Sequence, residues 1–205
     1  ISTDQKGYDR YKVSQLQLST VTFFDHILGA NQLRVIAEVG GVYIHDFPSA
    51  NEARYGRADA FGIGDFSGLG QDVFPDLNPL NPTTYSCTGE GATVALNSNP
   101  SFCDSQGFTT AFSWGYILAM QLDYPGLFSA TNVWPALTFS HDIKGYGPAG
   151  SFQEGRKSIG LTLNADYLLN RYQASLGYVH YYGGGRENLL NDRDHLSASL
   201  TVLFW

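Results

Sequence analysis

Residues 196–205 alternate without a break. Leu196, Ala198, Leu200, Val202 and Phe204 fall on one side, and Ser197, Ser199, Thr201, Leu203 and Trp205 on the other. A two-residue period of this kind specifies a β-strand with one apolar face, because successive side chains of a strand point to opposite faces of its sheet. The same period returns in six earlier stretches, which commits the chain to an all-β architecture.

Strand one is expected at 11–24, with Leu16, Leu18, Thr20 and Phe24 opposite Gln15, Gln17 and Ser19. Strand two, at 32–45, sets Leu33, Val35, Ala37, Val39 and Tyr43 against Arg34 and Glu38. Strand three covers 109–123, with Phe112, Trp114, Tyr116, Leu118, Met120 and Leu122 on one face and Ser113, Gly115, Ala119 and Gln121 on the other. Pro125-Gly126 marks the turn after it. Strand four, at 132–143, contains Pro135, which lacks an N–H and is expected near a strand end or at an irregularity. Strand five, at 156–167, is the cleanest: Ile159, Leu161, Leu163, Ala165 and Tyr167 alternate with Ser158, Gly160, Thr162, Asn164 and Asp166. Strand six, at 171–182, directs Ala174, Leu176 and Tyr178 one way and Gln173, Ser175 and Gly177 the other.

Between strands two and three lies a long irregular segment, 47–108, holding most of the prolines and both cysteines. Cys87 and Cys103 are read as a disulfide pinning this loop, as expected in an exported protein. A metal site would need more ligands, and no histidine lies between or beside them. The stretch 62–72 (GIGDFSGLGQD) has the acidic, glycine-rich look of a calcium loop but lacks its full ligand spacing. No metal and no cofactor are expected.

Connections are short after strands one, three and five and long after two, four and six, the asymmetry of outer-membrane barrels with short periplasmic turns and longer outer loops. Composition agrees. Only 15% of residues are charged and 14% are aromatic, with 23 glycines, where a soluble domain averages about 25% charged. No apolar run approaches the roughly eighteen residues of a transmembrane helix. The net charge of −7 argues against a nucleic-acid partner. These features predict an antiparallel transmembrane β-barrel of the bacterial outer membrane. Trp114, Tyr116, Tyr167, Tyr172, Tyr178 and Phe204 would form its aromatic girdles. Its lumen would be lined by Gln15, Gln17, Arg34, Glu38, Gln121, Asp142, Thr162, Asn164, Asp166 and Gln173, with Gly115, Gly160 and Gly177 leaving space. Ile117, Trp134, Val179 and Tyr181 would offer apolar footholds. An enzyme is not expected: Ser140-His141-Asp142 are adjacent strand residues, which cannot converge into a triad.

Seven strands is an odd number, whereas bacterial single-chain barrels close with an even one. The sequence opens at Ile1 without Met, a basic n-region or an apolar h-region, so a removed signal peptide, or more, is expected before it. The chain is accordingly read as the C-terminal part of a larger barrel.

The final pair, Phe204 and Trp205, resembles the aromatic C-terminal signal read by the barrel assembly machinery, although the usual last residue there is Phe. SHDIKGYGP (140–148), EGRKSIGLTLNADY (154–167), YYGGGRENLLNDRDH (181–195) and RYKVSQLQLST (10–20) resemble a family of proteobacterial outer-membrane proteins catalogued as a domain of unknown function. The resemblance implies a larger protein embedded among outer-membrane lipid and lipopolysaccharide. It further implies, as partners, a periplasmic lipid-carrier protein and an inner-membrane exporter of the resistance–nodulation–division type. The activity implied is passage of hydrophobic or amphiphilic molecules across the outer membrane; a structural or adhesive surface barrel and a general porin are the alternatives.

Overall fold

A computed structural model of the chain describes residues 8–64, 85–89 and 94–204. Trp205 and most of the 62–72 stretch lie outside the described residues. The strands are β1 (Val13–Asp25), β2 (Gln32–Ile44), β3 (Tyr85–Ser86), β4 (Val94–Ala95), β5 (Phe112–Phe128), β6 (Thr131–Lys144), β7 (Arg156–Tyr167), β8 (Tyr172–Gly183) and β9 (His195–Val202). No α-helix occurs among the described residues. Seven strands form one antiparallel sheet in the order β1-β2-β5-β6-β7-β8-β9. They correspond to the seven alternating stretches of the sequence. The sheet does not close into a barrel: β1 and β9 are its two edges. The pair β3 and β4, each two residues long and parallel to one another, adds local order to the 47–108 segment.

The chain divides into two compact units, Ile1–Gln15 with Val42–Ser113 and Gly145–Phe152, and Leu16–Gly41 with Trp114–Lys144 and Gln153–Trp205. The second contains most of the sheet. Its registers run unbroken through β6, β7 and β8, from Ser140↔Ser158↔Tyr181 to Asn132↔Asp166↔Gln173. Because directly opposed residues share a face, these ladders sort the side chains into two sets. One face carries Thr138, Thr162, Asn164, Ser175, Ser197 and Ser199. The other carries Phe139, Leu161, Leu163, Leu176, Ala198 and Leu200. The apolar set is not a core. Leu161 is 52% exposed, Leu163 48%, Leu196 71% and Leu200 75%.

Two expectations are revised. The chain does not turn at Pro125-Gly126: β5 continues to Phe128, which pairs with Thr131. A register shift between Tyr124 and Phe128 absorbs the proline, and the Asn132 side chain accepts a hydrogen bond from Gly126 N (2.9 Å). Pro135 sits inside β6, opposite Leu163 of β7. On the β5 side the matched pairs pass from Ala136 to Val133, where a missing N–H does least harm.

The first unit is held by side chains of the long segment. Cys87 and Cys103 form a disulfide with Cα atoms 5.6 Å apart. Arg57, with its side chain 2% exposed, lies 5.0 Å from the Phe108 ring centroid and 5.9 Å from those of Phe61 and Phe102. It also donates to Phe102 O (3.0 Å) and pairs with Asp104 (3.4 Å). The buried Asn97 amide donates to Phe61 O (3.0 Å) and Ile63 O (2.5 Å). A buried cation here is tolerated because aromatic faces, a carbonyl and a carboxylate together replace its water.

Candidate functional site

The polar face of the sheet is the candidate site, and its chemistry follows from cross-strand pairing. Thr162 stands between Ala136 and Gly177, and Asn164 between Trp134 and Ser175. Gln121 faces Ala136, and Gln173 lies between Asp166 and Thr201. Ser140 and Ser158 hydroxyls meet at 2.7 Å. Ile117, opposite Ser140, is 49% exposed, so one apolar side chain lies open among the hydroxyls.

Two carboxylates of this face, Asp166 and Asp142, are engaged. Asp166 is 3% exposed and accepts from the Asn132 amide at both oxygens, 3.1 and 3.2 Å. Asp142 receives Arg156 Nε and Nη2, each at 2.8 Å, and the backbone N–H of Gln153 at 3.0 Å. It therefore ties the chain after the β6–β7 connection to the end of β6, rather than presenting a free charge. The expected space at the glycines is filled. A Cβ on Gly160 would stand 2.5 Å from Thr138 Oγ1, and one on Gly115 would stand 2.7 Å from His141 O. These glycines let neighbouring strands and hydroxyls close in.

Gln15 and Gln17 lie on the exposed edge strand β1. Arg34 is exposed, its guanidinium 5.7 Å from the Phe23 ring. Glu38 joins Leu18, Ser19, Thr20, Ala37, Val39, Tyr116, Ile117 and Leu118 around an open groove of about 340 Å³. Thus β5–β9 bring Gln121, Asp142, Thr162, Asn164, Asp166 and Gln173 onto one face. Phe204 is 88% exposed. Ser140 and Asp142 turn to the polar face while His141 pairs with Tyr116 and Lys157 on the other, so the tripeptide is split between faces. Among the described residues no cluster of His, Cys, Asp and Glu could hold a metal ion.

Two features were missed in the sequence. Tyr116, His141, Lys157 and Tyr182 form a directly paired row across β5–β8 on the apolar face. The odd-numbered phase of Lys157 with Ile159 and Leu161 is the signal that could have placed it there. The second is a clasp on the last connection. Asp194 lies 2.6 Å from His180 Nδ1 and accepts from Tyr178 OH (3.0 Å) and Tyr181 N (2.9 Å). These donors hold its carboxyl below the usual carboxylate range, the Tyr181 backbone N–H first and His180 next. No spacing rule links residues 178–181 to 194, so only the fold could reveal it.

Fold and site define a two-faced antiparallel β-sheet protein, polar and hydrogen-bonded on one side and openly apolar on the other. The chain matches, over residues 2–204, the family described as protein of unknown function (DUF1302), and it belongs to that family. No curated protein and no solved structure matches it.

Proposed function

We propose that this chain forms part of the wall of an outer-membrane β-barrel through which hydrophobic or amphiphilic molecules pass. The observation that carries the reading is the inversion of the sheet. Its apolar side chains, Leu161, Leu163, Leu176 and Leu200 among them, are open to the surroundings, while hydroxyls and amides pair on the opposite face. Water would not tolerate so large an apolar face; hydrocarbon would. The dimensions support this. Lys157 and Tyr167 bound the apolar stretch of β7, and ten residues at about 3.3 Å each span about 33 Å. At the tilt of barrel strands that is about 25 Å along the barrel axis, the height of the apolar band of such proteins. The lumen would then be the polar face, whose carboxylates Asp142 and Asp166 are already paired. Its open surface is hydroxyl and amide with Ile117, Trp134, Val179 and Tyr181 interspersed, which suits cargo with both polar and apolar parts better than ions. In this setting the surroundings are outer-membrane lipid and lipopolysaccharide. Insertion would be by the barrel assembly machinery, and cargo would be exchanged with a periplasmic lipid carrier and an inner-membrane exporter.

The test is a deletion strain complemented with the full-length gene. Restored handling of a hydrophobic probe without added flux of a small hydrophilic sugar is the expected result. Restored sugar flux with unchanged probe handling would make the protein a general porin. A surface-adhesive role is the second reading, favoured by the disulfide-pinned order of the 47–108 segment around Arg57 and Asn97. Loss of attachment on deleting that segment, with transport unchanged, would select it.

A further inference from the structure

The row Tyr116–His141–Lys157–Tyr182 is out of character with the face that holds it. Below it, β5–β9 place no Asp, Glu, Lys or Arg of their own on the apolar face among the described residues: the next rows are Leu118–Phe139–Ile159–His180 and Met120–Leu137–Leu161–Tyr178. The Asp194 carboxylate, from the connection before β9, is set against His180 and Tyr178 at their β9 side. Lys157 is therefore a single cation at the upper margin of a hydrocarbon-like surface. Its Nζ lies 5.9 Å from the Tyr182 ring, and among the described residues no carboxylate forms an ion pair with it. Asp194, which reaches Tyr178 and His180 of the neighbouring β8, is occupied by three donors. Four adjacent strands at about 4.8 Å spacing spread the row over about 14 Å, a row of hydroxyl, imidazole and ammonium donors. Tyr116 also borders the groove of about 340 Å³, whose other walls include Leu18, Ala37, Val39, Ile117 and Leu118 together with Glu38. One amphipathic site thus combines a cationic, hydrogen-bonding margin with an apolar recess at its side.

From this juxtaposition we infer that the outer face binds a phosphate-bearing lipid, its headgroup on Lys157, His141 and Tyr116 and one acyl chain in the groove beside Leu118 and Ala37. The inference rests on the membrane reading above and adds to it a specific lipid site. A phosphate ester supplies the anion that Lys157 lacks and accepts from the flanking donors. The acyl chain in the groove meets Leu18, Ala37, Val39 and Leu118, with Ser19, Thr20 and Glu38 as the polar members of the lining. A zwitterionic headgroup would bring its own cation to the same margin and forfeit that match.

The experiment uses the full-length protein in phosphatidylcholine vesicles containing a trace of phosphatidylglycerol or phosphatidylcholine spin-labelled on the acyl chain. The motionally restricted fraction measures lipid held against the protein. The expected result is an about fivefold preference for phosphatidylglycerol, the fold-change one basic side chain confers near a membrane surface. Lys157→Gln should abolish it with the phosphatidylcholine fraction unchanged, and Lys157→Arg should retain it. Ala37→Phe, which fills the groove, should lower it. No preference in the wild type, or a preference that survives Lys157→Gln, overturns the site while leaving the membrane reading intact. A preference unchanged by Ala37→Phe overturns the groove's part. Loss of the preference on adding inorganic phosphate, but not chloride at equal ionic strength, would reassign the row to free anions. Restricted lipid of neither kind would sink the membrane reading itself.

Discussion

Replacing Leu161 by Arg separates a lipid-facing sheet from a water-facing one. Leu161 is half exposed and sits four residues from Lys157 and six from Tyr167 on the same face of β7. At about 3.3 Å per residue and a barrel-strand tilt near 40°, it lies about 10 Å below the first and about 15 Å above the second. That is within about 3 Å of the midpoint of the apolar band. A guanidinium there cannot reach either margin fully extended, so in lipid the substitution should cost about 2–4 kcal/mol. In water an exposed Leu-to-Arg change costs within about 0.5 kcal/mol of zero. With a urea dependence of about 2 kcal/mol per molar, the folding midpoint in vesicles should fall by about 1–2 M. Thr162→Arg, one residue on and opposite Gly177 on the polar face, controls for the added charge and should cost much less. A Leu161→Arg midpoint within about 0.25 M of wild type, the equivalent of 0.5 kcal/mol at that slope, would refute the lipid assignment of this face.

Spin labels at Leu161, Leu163, Leu200 and Val202 should be reached by a lipid-soluble relaxant and not by a water-soluble one; the opposite pattern contradicts the same assignment. Opening the Cys87–Cys103 ring with paired serines should cost the 47–108 segment about 3 kcal/mol of chain-entropy stabilisation. Limited proteolysis should then cut there first, with the sheet unaffected; unchanged protease resistance would count against it. Gly160→Val should weaken the sheet by more than 1 kcal/mol, since its Cβ would collide with Thr138 Oγ1 in a close-packed setting; pairing it with Thr138→Ala should recover much of the loss in denaturant titrations. The Asp194 clasp should loosen in acid. A carboxyl held below its ordinary value of 3.8 stabilises above that value and loses the contribution as pH falls through the lowered one. Hydrogen exchange at Tyr181 N–H should rise below pH 3.8, and Asp194→Asn should flatten that dependence.

The sheet was legible because alternation is local. Ile159 to Tyr167 announces a strand from its own side chains, and β7 begins and ends where the pattern does. The two faces were legible for the same reason. What the sequence could not supply was which residues stand across from each other. Asp142 and Asp166 read as exposed lumen charges until the ladders brought Arg156 and Asn132 against them. Gly160 read as empty space until Thr138 was seen to occupy it. Pro125-Gly126 misled because turn chemistry and bulge chemistry use the same residues, and only the pairing of Phe128 with Thr131 distinguishes them.

The open edges set a further condition on the membrane reading. In hydrocarbon every backbone N–H and C=O must be paired, because no water replaces a missing partner. Among the described residues the outer edges of β1 and β9 have no neighbour in the sheet. They cannot simply join one another in the usual way. Strand direction reverses at each step of a seven-stranded antiparallel order, so the first and last strands run parallel. Joining them would put one parallel pair into an otherwise antiparallel wall. One additional strand, or any odd number, restores antiparallel pairing at every seam and gives the even total characteristic of bacterial barrels. If the apolar face meets lipid, both edges are therefore seams to further strands. A cysteine on the outer edge of β9 should then cross-link to a strand other than β1 in the assembled protein, and a β1–β9 cross-link would contradict this closure.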